Sequence, residues 1–128
     1  MSKEDEIIDK CVAFSVRINK LRKFLREQQH EYNNSDQIQR SGTSIGANYS
    51  EACFAESKVD FVHKLGIAQK EAKETQYWLR VLYGSEFINE EMFNSLIADL
   101  DELQRILTAS IRTVKAQLNH QSSINNQK

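Results

Sequence analysis

The sequence predicts an all-α protein, an antiparallel up-down-up-down four-helix bundle, on three observations. Proline is absent and glycine occurs only four times in 128 residues, a composition that favours long uninterrupted helices over turn-rich sheet. Apolar residues recur at spacings of three and four along four separate stretches, the period of a helix that buries one stripe. Short runs of Asn, Ser, Asp and Gly, residues that cap helices and form turns, separate those stretches.

The first helix is predicted over residues 4–29, capped by Ser2 with Asp5 and carrying the seam Ile7, Cys11, Phe14, Ile18, Leu21 and Leu25. Residues 32–36, Tyr-Asn-Asn-Ser-Asp, are the expected first turn, with Asn34 or Ser35 capping a second helix that runs to about residue 55. That helix has a narrow seam of mostly small residues, Ile38, Ser41, Ile45, Asn48 and Ala52. Gly42 and Gly46 each destabilise a helix interior by roughly 1 kcal/mol, so close approach of a neighbouring helix must offset them. Ser57 and Asp60 then open a third helix through Phe61, Leu65, Ala68, Ala72, Thr75, Leu79 and Leu82, with Gly84 as its stop. Asn89 caps the fourth, which carries Phe93, Leu96, Leu100, Leu103, Leu107, Ile111, Val114 and Leu118. The bundle is expected to occupy residues 1–119, and the polar residues 120–128 are expected to form a disordered tail.

Antiparallel pairing about the first turn sets Phe14 against Ala52, Ile18 against Asn48, Leu21 against Ile45 and Leu25 against Ser41. In that arrangement Asn48 is a buried amide that fixes register. A polar stripe beside the seam, Arg40, Ser44, Asn48 and Glu51, faces the third helix, where Glu74 stands level with Arg40. A buried or half-buried Arg40–Glu74 ion pair is the expected structural use of these two residues, and an exposed binding patch is the alternative.

Composition narrows the functional classes. Cys11 and Cys53 are too few and too far apart for a disulfide framework or a metal-binding pair. The chain begins with an acidic stretch and contains no apolar run of the ~18 residues a membrane span needs, so a cytoplasmic protein without membrane association is expected. A di-metal carboxylate bundle needs paired Glu-x-x-His motifs, and only Asp60-Phe61-Val62-His63 approaches one. Clustered phosphate-loop glycines are missing as well. No metal, cofactor, small-molecule substrate or catalytic residue is expected.

The net charge of −1 conceals segregation. Arg17, Lys20, Arg22, Lys23 and Arg26 crowd the first helix, and Glu86, Glu90, Glu91, Asp99, Asp101 and Glu102 crowd the start of the fourth. Complementing helix dipoles accounts for much of this. The candidate nucleic-acid surface is Arg17, Lys20, Lys23 and Arg26, with Arg105, Arg112 and Lys115 secondary. Apolar residues beyond the seams, chiefly Val12, Val16, Tyr77, Trp78 and Val81, are candidates for a subunit interface.

Three motifs carry a resemblance: Gln37-Ile38-x-Arg40-Ser41-x-x-Ser44-Ile45-x-x-Asn48-x-x-Glu51, Phe61-x-x-Lys64-Leu65-x-Ile67-Ala68, and Glu71-Ala72-x-Glu74-Thr75-x-Tyr77-Trp78-Leu79. In these the chain resembles the bacterial family encoded in intervening sequences of 23S ribosomal RNA genes. It departs from the usual Asn-Ile-Ala-Glu-Gly of that family, reading Asn48-Tyr49-Ser50-Glu51-Ala52. The resemblance implies a four-helix protomer, assembly into a ring of about five subunits, and no established catalysis. A similar fold serves as accessory protein to the reverse transcriptase of diversity-generating retroelements, with a basic ring that contacts nucleic acid and polymerase. The resulting expectation is a non-enzymatic homo-oligomeric adaptor for RNA, DNA or a nucleic-acid enzyme; the alternative is an interaction module with no nucleic-acid role.

Overall fold

A computed structural model describes residues 1–126, which form α1 (Lys3–Gln28), α2 (Asn33–Ala52), α3 (Lys58–Gly84) and α4 (Glu90–Asn126). Each helix runs antiparallel to the one before it. α2 packs most closely, against α3 on one side and α1 on the other; α1 and α4 meet at few points, and the helix backbones of the diagonal pairs α1/α3 and α2/α4 do not touch among the described residues.

Local chemistry sets most helix ends where the sequence placed them. The Ser2 hydroxyl accepts from Asp5 N–H at 3.1 Å while Asp5 Oδ2 accepts from Ser2 N–H at 3.4 Å, a complete capping box. Ser57 accepts from Asp60 N–H at 3.1 Å, and Asn89 from Met92 N–H at 2.8 Å. α3 does end at Gly84, but the left-handed residue that turns the chain is Glu86, with φ 66°, so that Phe87 N–H reaches the Leu82 carbonyl at 3.0 Å.

The first turn differs from expectation. His30 takes φ 53°, Glu31 N–H reaches the Leu25 carbonyl at 2.9 Å, and α2 begins at Asn33, ahead of both expected caps and inside the expected turn. Ser35 therefore lies inside the first turn of α2, where its N–H donates to Glu31 Oε1 at 2.8 Å and its hydroxyl to the Tyr32 carbonyl at 2.8 Å. The earlier start moves α2 along α1. Ile18 faces Gly42 and not Asn48, a displacement of six residues, and Arg22 reaches Asp36. This is close to one heptad, and a heptad slip lays an apolar stripe back onto itself, so periodicity cannot distinguish the two registers. The glycines can. A Cβ at Gly46 would lie 2.8 Å from Cys11 Cβ, and one at Gly42 would lie 2.9 Å from Ile18 Cγ1, so both mark where α1 and α2 nearly touch.

The α1 seam is buried throughout as predicted, as is α3 from Leu65 to Leu82, while Phe61, Phe93, Ile111, Val114 and Leu118 are only half-buried. In α2 the assignment of Asn48 to the core is corrected. Tyr49, 2% exposed, fills that place, and Asn48 is half-buried with its amide donating to the Ser44 carbonyl at 2.8 Å. An amide satisfied within its own helix does not set register between helices. The buried polar contact that joins two helices is instead Thr75 Oγ1, 3.0 Å from Ser41 Oγ, with both residues fully buried.

The expected disordered tail is corrected over residues 120–126, which continue α4 as an exposed helix; residues 127–128 lie outside the described residues. Neither proline nor glycine interrupts the chain from Glu90 to Asn126, and Gln121 Nε2 donates to Asn125 one turn on at 3.3 Å.

Packing around Gly46 also creates an alkaline liability. Burial pushes the Cys11 thiol up to about 11, and burial likewise raises Cys53 and the Tyr49 phenol above their ordinary ranges. Each folded pKa lies above its unfolded value. The stabilisation is therefore fully present below an unfolded thiol pKa of about 8.5 and is lost as pH rises through about 11. Urea midpoints under reducing conditions should fall over that window, and C11A should flatten the fall.

Candidate nucleic-acid interface

α1 and α4 are joined across their gap by long charged side chains. Lys10 Nζ lies 2.6 Å from Glu102, and Arg17 reaches Asp99 at 2.6 Å and Ser95 Oγ at 2.9 Å. Arg22 and Arg26 converge on Asp36 at 2.9 and 3.5 Å, and the Arg26 guanidinium stands 4.9 Å over the Tyr32 ring. Two bases of α1 are thus paired with acids of α4, and two more with Asp36 of α2. Of the four candidate bases, Arg17 and Arg26 are held in ion pairs, and Lys20 and Lys23 are exposed without an ion-pair partner among the described residues.

The α2 stripe does face α3. Arg40 pairs with Glu74 and lies 3.3 Å from Glu71; Glu51 pairs with Lys64 at 3.3 Å. Trp78 Nε1 donates to Glu74 at 3.3 Å, and the Ser44 hydroxyl donates to the Arg40 carbonyl at 2.6 Å. Arg40 itself is half exposed, its side chain at 50%, so the cluster is a surface network and each pair contributes only about 0–1 kcal/mol.

The candidate interface residues do not form one patch. Val12 and Val16 are exposed on α1 and Tyr77 on α3, whereas Trp78 and Val81 are half-buried, with Trp78 packed on the core. The sequence analysis did not single out Phe54, 87% exposed, or Val59, 65% exposed, at the α2–α3 turn. Val59 stands between Lys58 and Asp60, which hid it in sequence, whereas Phe54 follows Ala52 and Cys53 and reads as the apolar end of α2. Between α1 and α4 an apolar groove of about 630 Å³ is floored by Ile7, Tyr49, Phe61 and Ile106 and rimmed by charges of both signs, among them Glu4, Glu6, Lys10 and Glu102.

A different face concentrates positive charge. Lys70, Lys73, Tyr77 and Arg80 follow one another at spacings of three and four, which sets them on one side of α3. The acids that alternate with them in sequence, Glu71 and Glu74, point instead toward α2 and are held by Arg40. On α4, Arg105 and Arg112 line a second hollow whose one acid is Asp101. Lys70, Lys73, Arg80, Arg105 and Arg112 are exposed, as is the uncharged Tyr77, and Asp101 is half-buried; among the described residues no ion pair neutralises the five bases. Two adjoining hollows of about 560 and 410 Å³ share Gln104 and Thr108. Gln69 Nε2 donates to Thr108 Oγ1 at 3.2 Å, tying α3 to α4 at the centre of the face.

No group of three or more His, Cys, Asp or Glu is arranged to hold a metal among the described residues. No helix there is long and apolar enough to cross a membrane.

The chain matches a family model described as the 23S rRNA-intervening sequence protein over residues 3–109. A search of curated proteins finds no match. Among solved structures it is similar to a crystal structure from Bacteroides thetaiotaomicron, described as a protein of unknown function from the S23 ribosomal protein family. The two are 47% identical, with a TM-score of 0.84 over 87% of this chain and 99% of that one. With most of its length matched and all four helices in the expected order, the chain belongs to the 23S rRNA-intervening sequence protein family.

Proposed function

We propose that this protein is a non-catalytic, self-assembling cytoplasmic adaptor that binds nucleic acid. The observation that carries the reading is the uncompensated basic face of α3 and α4, which keeps Lys70, Lys73, Arg80, Arg105 and Arg112 available while the α1 arginines are consumed within the fold. Phosphate backbones are bound by such clusters through release of counterions, and an interleaved aromatic such as Tyr77 adds a stacking surface.

Fluorescence anisotropy of a labelled single-stranded RNA, titrated with the protein from 50 to 300 mM salt, tests it. Binding that weakens steeply with salt is expected; absence of binding at low salt would contradict it.

A second reading, an interaction module without nucleic acid, is favoured by Phe54 and Val59, a more apolar pair than a solvated turn requires. The self-assembly part of the proposal rests on the same residues together with Val12 and Val16. Separate patches suit a head-to-tail ring, in which each subunit presents two different surfaces. Light scattering should give a multiple of the 14.8 kDa protomer, and F54D should lower it. A wild-type monomer would remove assembly from the proposal.

A further inference from the structure

α4 outruns the bundle it belongs to. Lys10 beside Glu102 and Arg17 beside Asp99 bring the start of α1 level with about residues 109–113 of α4. Gln69 beside Thr108 brings the start of α3 level with about residue 119. Residues 120–126 therefore project past both neighbours as an arm roughly 10 Å long. Ser122, Ser123, Asn125 and Asn126 are poor helix formers, and so short a stretch does not hold a helix in water without a surface to lie on. The family match ends at residue 109, short of the arm.

The periodicity of α4 defines that surface. Ile106, Ser110, Thr113, Gln117, His120 and Ile124 recur at spacings of three and four and so share one side of the helix. Ile106, Ser110 and Thr113 line the apolar groove between α1 and α4. The same side continues into the arm through exposed His120 and through Ile124, which is 36% exposed. This set is its own antiparallel complement. About a centre at residue 115, Ile124 comes level with Ile106, His120 with Ser110, and Gln117 with Thr113. Charge agrees with the pairing: α4 bears no acid after Glu102, whereas Glu4 and Glu6 on the groove's rim stand in no ion pair among the described residues.

We propose that the groove seats the arm of a second copy of this chain. Two protomers pair through antiparallel α4 arms about a two-fold axis, and Ile124 of each enters the other's groove beside Ile7, Phe61 and Ile106. This contact uses none of the residues of the Phe54 assembly and goes beyond it. A nucleic-acid strand fits the groove poorly, since Glu4 and Glu6 repel phosphate.

Crosslinking tests the register. In a C53S background, S110C combined with H120C should be coupled into a covalent dimer by a short bis-maleimide, because the two positions lie ~15 Å apart along one helix and meet only between copies. Each single-cysteine variant should give almost no dimer. In sedimentation equilibrium, I124D should raise the dimer dissociation constant at least about tenfold, since each copy loses an apolar anchor and brings a carboxylate toward Glu4 and Glu6. Ile124 lies outside the core, so the urea midpoint of I124D should match that of the wild type. F54D should leave the coupling intact. No coupling between copies, or a mass unmoved by I124D, would overturn the arm pairing; loss of mass in F54D alone would then leave the Phe54 assembly standing. Coupling that persists in an F54D protein of unchanged mass would support the arm pairing and remove the Phe54 contact.

Discussion

Replacing Tyr49 by alanine is expected to lower the unfolding free energy by about 3–5 kcal/mol, the range for deleting a large buried aromatic. The ring is 2% exposed and forms the floor between α1 and α4, beside Ile7, Phe61 and Ile106. α1 and α4 meet at few points, so few neighbouring side chains can move in to fill the space. Y49F keeps the ring and should lose far less. Urea denaturation with an unchanged m-value measures the difference; equal midpoints for Y49A and the wild type would show that Tyr49 does not belong to the core.

Enlarging Gly46 is expected to have the next largest effect. In G46L the new Cβ would lie 2.8 Å from Cys11 Cβ, an atom fixed to a helix backbone that cannot rotate away. α1 and α2 must separate, at about 3 kcal/mol or more, the upper range for overpacking. Gly66 supplies the control, since open space surrounds its missing Cβ. G66A should therefore stabilise the protein by up to about 1 kcal/mol through helix propensity alone. If both changes shifted the urea midpoint in the same direction, close approach would not be the role of Gly46.

These two residues also show what the sequence could and could not reveal. The α1 seam from Ile7 to Leu25 was legible in full because one apolar stripe at helical spacing admits a single inward face. The small residues of α2 announced close packing, yet the seam was read as Ile38, Ser41, Ile45, Asn48 and Ala52, when Gly42 and Tyr49 also lie on the buried side. Adjacent seams of period 3.5 overlap, and the one that buries an aromatic and frees an amide is lower in energy. Register against α1 was misplaced by about a heptad for the related reason that the stripe repeats. A His at a left-handed turn position gives little warning in sequence, where glycine or asparagine would.

The candidate site was legible in its parts and hidden in its arrangement. Basic residues concentrated in α1 stood out because no acid interrupts them, but the partner of Arg17 lies far along the chain on α4 and that of Arg22 and Arg26 on α2, and the pairing needs the fold. Lys70, Glu71, Ala72, Lys73 and Glu74 read as neutral in any window. Only helical geometry sorts the lysines to the outer face and the glutamates toward Arg40.

The most direct measurement compares the salt dependence of RNA binding in two fourfold variants, one with Arg17, Lys20, Lys23 and Arg26 changed to Gln, the other with Lys70, Lys73, Arg105 and Arg112 changed to Gln. The second set should flatten the slope of log K against log salt by nearly 3, at roughly 0.7 for each lost single-strand phosphate contact, and the first should leave most of it intact. A slope abolished by the α1 set and untouched by the α3–α4 set would contradict the assignment of the binding face.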